Sequence, residues 1–141
     1  MPTEMICGLW FGNEYDANDI TFINNKNINC IINCNKHLKI NKNYKYDYII
    51  IPIENEGNNL LLNYLFDAVN FINERLLNGN NIFVFCKNGI QCSPIIMVAY
   101  LIKYAKISSE LSIKYVLSKN TNLFKNNIFY LPLIDNFIKK L

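Results

Sequence analysis

Short runs of β-branched and aromatic residues alternate with helical patterns along the chain, and this alternation constrains the fold more than any other feature. Apolar runs bounded by polar residues are typical of strands covered on both faces of a parallel sheet. The candidate strands are Ile6 to Phe11, as one strand or a tight pair around Gly8, and then Cys30 to Cys34, Tyr48 to Ile53 and Asn81 to Phe85. The alternation predicts an α/β fold with a central, mainly parallel sheet of about five strands, flanked by helices.

Helical patterns fill the gaps between these runs. Residues Asp16 to Asp19 can cap a short helix that carries Ile20 and Ile23 on one face. A longer apolar stripe runs from Leu61 to Leu76 and stops at Asn78-Gly79, a typical helix C-terminus. Both patterns predict helices that cover the sheet.

The last third of the chain is also predicted to be helical. Pro94 fits the first position of a helix whose residues Ile95 to Ile102 are apolar all round, so this helix is expected to be central. Ser108 can cap the next helix. The residues expected to point inward from that helix are Leu111, Tyr115 and Val116.

A final helix is predicted to run to Leu141, and Pro132 leaves its start open. A helix that begins near Asn127 would be kinked at Pro132, whereas one that begins near Leu131 would hold the proline in its first turn. The residues expected on its apolar face are Ile134, Phe137, Ile138 and Leu141.

The composition fits one folded domain covering residues 1–141. Hydrophobic residues make up 51% of the chain and charged residues 18%, which excludes a disordered or fibrous protein. The net charge is +3 and the lysines are scattered, so nucleic acid is not an expected partner. The stretch Asn35 to Lys45 is rich in Asn and Lys and is predicted to be a solvated loop. The five cysteines and the single histidine, His37, lack the spacing of a disulfide framework or a zinc site, so we expect no metal or cofactor.

No segment of the sequence favours a membrane. The longest apolar stretch, Ile95 to Ile102, is far shorter than the ~20 residues needed to cross a bilayer. The opening Met-Pro-Thr-Glu has no basic start followed by an apolar block. We therefore expect a cytoplasmic protein without membrane contact.

One segment carries the residues of a binding or catalytic site. A strand that ends in Phe85-Cys86, a short loop with Gly89, and a helix opened by Ser93-Pro94 form a strand–loop–helix turn at the carboxyl end of a strand. Ligands bind at this edge in open α/β sheets. Loop amides and the first N–H groups of the helix would point at one spot, which favours phosphate or a similar oxyanion.

The run from Val84 to Ser93 resembles the signature of the cysteine-dependent dual-specificity protein phosphatases, His-Cys-x-x-Gly-x-x-Arg-Ser. Further landmarks match in order, with Leu9-Trp-Phe-Gly-Asn like the opening strand, Ile31-Ile-Asn-Cys like the third, and Ile51-Pro-Ile-Glu-Asn like the strand before the general-acid loop. The resemblance implies the protein tyrosine phosphatase fold. It also implies a phosphate loop made of Cys86, Lys87, Asn88, Gly89, Ile90, Gln91, Cys92 and Ser93.

The same resemblance implies that the chemistry is lost. In active members the Cys attacks phosphorus, the Arg holds the phosphoryl oxygens, the His supports the loop, and an Asp protonates the leaving oxygen. Cys86 keeps the nucleophile position, but Phe85 stands in place of the His, Cys92 in place of the Arg, and Asn55 in place of the Asp. Arg75, the only arginine, lies on the preceding helix and is an unsuitable substitute. A swing of Glu54 or Glu56 into the acid position would repair one defect of the three.

The expected function is therefore that of a pseudophosphatase, a binding or scaffolding module for a protein partner, phosphorylated or not, with a homodimer as a further form. The abundance of Asn, Ile and Lys is typical of an AT-rich genome and favours a viral member acting in the host cytoplasm. The alternative is a slow phosphatase that uses Cys86 with helpers such as Lys87 or Glu56, or a thiol activity of Cys86 and Cys92.

Each residue of interest also has a plainer interpretation. Cys86 can be a small buried residue, and Cys92 is expected to be a free thiol rather than half of a reversible disulfide with Cys86. Lys87 is expected to point outward. His37 is expected to be a solvated loop residue, and Trp10 to pack as an apolar strand residue.

Overall fold

The computed structural model describes residues 2–40, 46–53, 58–89, 92–120, 123 and 130–141. Its strands form one sheet in the order β1-β2-β5-β3-β4, in which β1 runs antiparallel to β2 and all other neighbours are parallel. The strands are β1 (Thr3–Ile6), β2 (Leu9–Gly12), β3 (Cys30–Asn33), β4 (Asp47–Ile50) and β5 (Ile82–Phe85). The predicted mainly parallel sheet is confirmed.

Helices cover both faces of this sheet. They are α1 (Glu14–Ala17), α2 (Ile20–Asn25), α3 (Asn58–Leu77), α4 (Cys92–Tyr104), α5 (Ser109–Lys119) and α6 (Tyr130–Lys139). The first two pack on one face, and the other four form a larger hydrophobic core on the opposite face. Among the described residues, no helix is long and apolar enough to cross a membrane.

The central strand β5 supplies both cores because successive side chains of a strand point to opposite faces. Ile82 and Val84 belong to the core under α3 to α6, whereas Phe83 and Phe85 belong to the core under α1 and α2. All four side chains are fully buried. Burial on both faces explains why this segment reads as a continuous apolar run.

The strands and helices at the start of the chain differ in detail from those predicted. Of the two predicted arrangements, the tight strand pair around Gly8 is confirmed, with Gly8 at a φ of +87° in the turn, but its first strand begins at Thr3 instead of Ile6. The helix capped by Asp19 exists as α2, but the short helix α1 before it was not predicted. Ile23 is buried as expected, whereas Ile20 is 48% exposed. The prediction of a shared apolar face was wrong because Ile20 is the first residue of α2 and points to solvent.

The predicted strand from Tyr48 to Ile53 is shorter than expected and lies at the sheet edge. It occupies Asp47–Ile50 and, among the described strands, pairs with β3 alone. Ile50 is 45% exposed, so coverage on both faces was a wrong prediction for this strand. Ile51 and Ile53, which follow the strand, are buried.

The helix after the signature run is central, as predicted. Residues Ser93 to Ile102 of α4 are all buried. The helix begins at Cys92 rather than at Pro94, so Pro94 is its third residue instead of its first. Cys92 and Ser93 therefore belong to the first turn of this helix.

The outer faces of the last two helices were predicted less well. In α5, Val116 is buried, but Leu111 and Tyr115 are exposed at 57% and 37%, and Ser112 points inward instead. The last helix ends at Lys139 instead of the predicted Leu141. Ile138 of α6 and Leu141 beyond it were predicted on the apolar face and are 37% and 55% exposed. Ile134 and Phe137 are buried as expected, and Pro132 is the third residue of α6, which matches a start near Leu131.

Candidate functional site

The site starts where three parallel strands end together. Gly12 and Asn33 are both register partners of Phe85, so β2 and β3 flank the end of β5. The Cys86 amide donates to the Gly12 carbonyl at 3.2 Å, and the Cys34 amide donates to the Phe85 carbonyl at 2.9 Å. The loop after β5 therefore begins at a fixed point in the centre of the carboxyl edge, where α/β folds bind ligands.

The two ends of this loop meet at a side-chain contact. The Cys86 Sγ lies 3.2 Å from the Ser93 Oγ, within hydrogen-bonding distance, and both residues are fully buried. Ser93 is the second residue of α4, so the contact places Cys86 at the amino-terminal end of a buried helix. Unpaired N–H groups at such an end favour a negative charge.

The middle of the loop depends on a glycine. Gly89 has a φ of +76°, a conformation that side chains disfavour. A Cβ at this position would lie 2.9 Å from the carbonyl carbon of Gly12 and 3.1 Å from the Asn13 nitrogen. At Gly89 the loop therefore lies against the turn between β2 and α1, and there is no room for a side chain at this position.

That turn is fixed by a reciprocal pair of hydrogen bonds. The Asn13 side chain accepts from the Asp16 amide at 2.9 Å, and the Asp16 carboxylate accepts from the Asn13 amide at 3.0 Å. Sequence reasoning missed this capping box, although Asn-x-x-Asp directly after a strand was a usable signal. This capping box fixes the turn against which Gly89 lies.

Asn33 organises the segment that follows β3. Its amide nitrogen donates to the Leu38 carbonyl at 3.1 Å and to the Tyr48 hydroxyl at 2.8 Å, and its oxygen accepts from the Asn35 amide at 2.9 Å. The side chain is fully buried, so these bonds replace the water it has lost. The segment that follows β3, beside the loop, is therefore held in place by hydrogen bonds from Asn33.

The Phe85 side chain belongs to the core under α1 and α2. It is fully buried and stacks on Phe83, with ring centroids 6.0 Å apart and planes 9° apart. Its neighbours in this core include Ala17 and Phe22. An apolar ring in this position provides no hydrogen bond and no charge for a bound anion.

The only guanidinium of the chain lies at the opposite edge of the sheet. Arg75, near the end of α3, forms an ion pair with Asp47, the first residue of β4, and its Cζ lies 4.8 Å from the centroid of the Phe71 ring. The hydrogen bond to Asp47 raises the pKa of Arg75 further above its ordinary value. Asp47 is the register partner of Cys30 at the start of β3. Arg75 is thus about one strand length away from the loop.

Several predicted site residues lie outside the described part of the chain. These are Asn55, Glu54, Glu56, Ile90 and Gln91, and residues 41–45 of the predicted solvated loop. Cys92 is half-buried as the first residue of α4, and Lys87 and Asn88 are exposed. His37 is exposed and Trp10 packs edge-on against Phe22, as expected for both.

A small polar cavity lies behind the loop. It has a volume of about 100 Å³. Its lining residues are Thr3, Phe11, Gly12, Asn13, Asp16, Asn88, Gly89 and Asn120. Within the described residues, no three His, Cys, Asp or Glu side chains come together as a metal site. Among the described residues, no disulfide bond joins Cys86 to Cys92 or links any other pair of cysteines.

The sequence matches a known catalytic domain over nearly its whole length. The family model described as the dual specificity phosphatase catalytic domain matches residues 9–137. This span runs from the start of β2 into α6 and includes the loop built around Cys86 and Gly89. The chain belongs to the dual-specificity phosphatase family.

Curated relatives and solved structures agree with this assignment. Dual specificity protein phosphatase 9 of Homo sapiens is 26% identical over 136 residues, which are 95% of this chain and 35% of that protein. Dual specificity protein phosphatase 5 of Rattus norvegicus is 24% identical over 125 residues, which are 89% of this chain and 33% of that protein. The chain therefore spans about a third of the length of these relatives.

Among the solved structures that share the fold are one mouse and one human protein. A mouse putative dual specificity phosphatase complexed with zinc tungstate has a TM-score of 0.87 at 18% identity, covering 99% of this chain and 87% of that one. The human tyrosine phosphatase-like serine/threonine/tyrosine-interacting protein has a TM-score of 0.82 at 17% identity, covering 99% and 96%. The fold is the α/β protein tyrosine phosphatase fold.

Proposed function

We propose that this chain is a catalytically inactive dual-specificity phosphatase-like protein that binds a protein partner through the loop at Cys86. The observation that carries the proposal is the position of Arg75. The one residue able to form a bidentate contact with a phosphoryl group is paired with Asp47 at the far edge of the sheet. The arginine position of the signature holds Cys92 instead.

The missing arginine weakens both binding and turnover. A charge-assisted hydrogen bond contributes about 1.5–3 kcal/mol to binding, and the contribution grows as charge develops in the transition state. Phe85 is packed in the core and supplies no compensating imidazole. If Asn55 takes the place of the general acid, the leaving group departs unassisted, at a cost on the order of 10²–10⁴ in rate.

The architecture for holding an anion persists despite these losses. The loop is anchored by Gly89 on Gly12, closed by the contact between Cys86 and Ser93, and joined to the amino terminus of α4. A loop that keeps this geometry but lacks the catalytic residues fits a protein that binds its partner without hydrolysing it. The mouse neighbour crystallised with tungstate, an oxyanion, and the human neighbour named for an interaction rather than a hydrolysis are consistent with this proposal.

The first test is hydrolysis of an aryl phosphate near pH 6 at high protein concentration. Wild type and Cys86→Ser are prepared side by side, so that a contaminating phosphatase gives the same rate in both. We expect no turnover in wild type above that of Cys86→Ser. Turnover that disappears only in Cys86→Ser would overturn the claim of inactivity.

The second test addresses binding by the loop. Isothermal titration calorimetry with phosphotyrosine and phosphothreonine peptides is expected to show weak binding by wild type. The variant Cys86→Asp places a carboxylate at the anion position and is expected to abolish that binding, while circular dichroism checks that it remains folded. Equal affinity for phosphorylated and unphosphorylated peptides would show that the loop does not bind phosphate.

The alternative function is a slow cysteine-dependent phosphatase. The specific observation in its favour is the 3.2 Å contact between Cys86 and Ser93, because a hydroxyl at this distance can donate to a thiolate. The hydrolysis assay separates the two functions. A burst of product equal to the enzyme concentration, absent in Cys86→Ser, would identify a phosphocysteine intermediate and support the alternative.

A further inference from the structure

Two cysteines lie side by side at the ends of neighbouring strands. Cys34 directly follows β3 and Cys86 directly follows β5. These strands are parallel neighbours in which Asn33 is the register partner of Phe85, and the same register continued by one residue sets Cys34 beside Cys86. The Cys34 amide donates to the Phe85 carbonyl at 2.9 Å, so the hydrogen bonds between the two strands extend to this point. The two cysteines are therefore cross-strand neighbours, although they are far apart in the sequence.

The side chains of Cys34 and Cys86 lie on the same face of the sheet. Both belong to the core under α3 to α6, and both are fully buried. Neighbouring strands lie about 4.8 Å apart, which is within the range of about 4.4–6.8 Å between the Cα atoms of a disulfide. The backbone thus already brings the two residues to the separation that a disulfide requires.

The two thiols differ in their surroundings. Cys86 is the first residue of the loop at the candidate site, and the Ser93 hydroxyl, 3.2 Å from its sulfur, can donate a hydrogen bond to a thiolate. The amino-terminal end of α4 also favours a negative charge on this sulfur. Cys86 is therefore the thiol of the pair suited to attack an oxidant, and Cys34 is placed to attack Cys86 afterwards.

We propose that peroxide converts Cys86 and Cys34 into a reversible disulfide, and that this bond switches off binding at the loop. The switch rests on the proposed function, because it regulates that same site. Hydrogen peroxide is the suitable oxidant because it is a small, uncharged molecule and both sulfurs are buried.

The reaction balances with one peroxide for each disulfide. The Cys86 thiolate attacks one oxygen of hydrogen peroxide, the O–O bond breaks, and the departing hydroxide takes up the proton of the thiol and leaves as water. Cys86 is then a sulfenic acid, which condenses with a nearby thiol. The Cys34 sulfur attacks the Cys86 sulfur, the S–S bond forms, the S–O bond breaks, and a second water leaves with the Cys34 proton. Two electrons pass from the two thiols to the peroxide.

The disulfide changes the geometry of the loop. A sulfur–sulfur bond is about 2.05 Å long, so the Cys86 sulfur moves towards Cys34 and leaves its contact with the Ser93 hydroxyl. That contact joins the two ends of the loop between β5 and α4. The oxidised loop therefore loses the geometry that holds an anion.

Peptide mapping after peroxide treatment tests the bond itself. The remaining thiols are trapped with N-ethylmaleimide, and the protein is digested with trypsin without reduction. Cys34, Cys86 and Cys92 fall on three different tryptic peptides, so mass spectrometry identifies which pair is joined. We expect the peptide of Cys34 linked to that of Cys86, and we expect dithiothreitol to separate them. A link from Cys86 to Cys92, or no link to Cys86, would overturn the proposal.

Two variants assign the bond to Cys34. Cys34→Ala is expected to prevent the link and to leave Cys86 as a sulfinic acid, because no second thiol removes the sulfenic acid. Cys30→Ala is the matched control, because Cys30 lies on β3, in the same core, and shares the tryptic peptide of Cys34. We expect this control to form the link as wild type does, and circular dichroism checks that both variants are folded. A link that persists in Cys34→Ala and is lost in Cys30→Ala would overturn the assignment.

Fluorescence anisotropy of a labelled phosphothreonine peptide tests the switch. We expect complete oxidation of wild type to weaken binding at least about tenfold, and we expect dithiothreitol to restore it. In Cys34→Ala the loss of binding should not be restored, because a sulfinic acid is not reduced by thiols. Unchanged binding by wild type after the disulfide has formed would overturn the switch.

The two experiments together separate this proposal from the function on which it rests. If the reduced protein does not bind the phosphopeptide but peroxide links Cys34 to Cys86, phosphate binding by the loop is refuted and the disulfide is supported. If the reduced protein binds the phosphopeptide and no link forms, the binding function is supported and the disulfide is refuted.

Discussion

Gly89 lies against Gly12 so closely that a Cβ on Gly89 would be 2.9 Å from the Gly12 carbonyl carbon. Gly12 is equally confined, because a Cβ there would lie 2.4 Å from the Asp16 carboxylate. Two glycines from distant parts of the chain thus bring the loop onto the turn between β2 and α1. This contact fixes the position of the loop at Gly89.

The first prediction is that Gly89→Ala destabilises the protein by about 2–4 kcal/mol, because a left-handed conformation and a steric clash both oppose the methyl group. Gly79→Ala is a matched control, because Gly79 has a φ of +80° but nothing within 4 Å of its Cβ position. We expect this control to cost about 1–2 kcal/mol in urea unfolding. Equal losses in the two variants would contradict the close contact with Gly12.

The second prediction concerns Asn33. Asn33→Ala removes three hydrogen bonds and leaves their partners without it, so we expect a loss of about 2–4 kcal/mol and faster amide exchange in residues 35–40. Tyr48→Phe removes only the hydroxyl and is expected to cost about 1 kcal/mol. Unchanged exchange in residues 35–40 of Asn33→Ala would show that Asn33 does not order this segment.

The third prediction is that two substitutions give the protein phosphatase activity. Cys92→Arg combined with Asn55→Asp is expected to raise aryl phosphate hydrolysis by at least about 10²-fold over wild type, because it returns the bidentate cation and the general acid. Adding Cys86→Ser to the double variant is expected to abolish the gain. A folded double variant that stays inert would show that Cys92 and Asn55 do not occupy the positions assigned to them.

The fourth prediction concerns Arg75. Arg75→Leu breaks an exposed ion pair with Asp47, so we expect a loss of about 1 kcal/mol or less in the free energy of unfolding. Binding of phosphopeptides should be unchanged, because the guanidinium lies at the other end of the strands. Asp47→Asn is the partner control and should behave in the same way. Loss of phosphopeptide binding in Arg75→Leu alone would mean that Arg75 reaches the loop.

The fifth prediction is a pH dependence of stability. Burial raises the pKa of the Cys30 thiol from 9.0 to about 11. The folded state thus disfavours the thiolate, so the contribution of Cys30 to stability is complete below about pH 9 and is lost as pH rises towards about 11. In Cys30→Ala this loss is absent, so the difference in Tm between the two proteins should narrow by a few degrees across this range. A difference in Tm between wild type and Cys30→Ala that stays constant across this pH range would contradict the raised pKa of Cys30.

The order of strands and helices was predictable because it depends on local patterns. The apolar run of β5 and the apolar stretch of α4 are buried on all sides. A segment of this kind is a continuous apolar run in the sequence, and it can be recognised without knowing its neighbours in the fold. The outward positions of Leu111 and Ile138 were not predictable. Which face of an amphipathic helix is covered depends on the neighbours it packs against, and a helix that lies at the surface can leave apolar residues exposed.

For the site, the sequence alone gives the chemical groups and their spacing, with Cys86, Gly89 and Ser93 spaced as in the signature that the run resembles. The proposal that Phe85 and Cys92 occupy its histidine and arginine positions also comes from the sequence. The arrangement of these groups in space depends on the folded chain. The contact of Gly89 with Gly12 and the pairing of Arg75 with Asp47 join residues that are far apart in the sequence, through strand register and packing that local sequence patterns do not encode. The contact of Cys86 with Ser93 joins the two ends of one loop, and it forms because β5 and α4 hold those ends together.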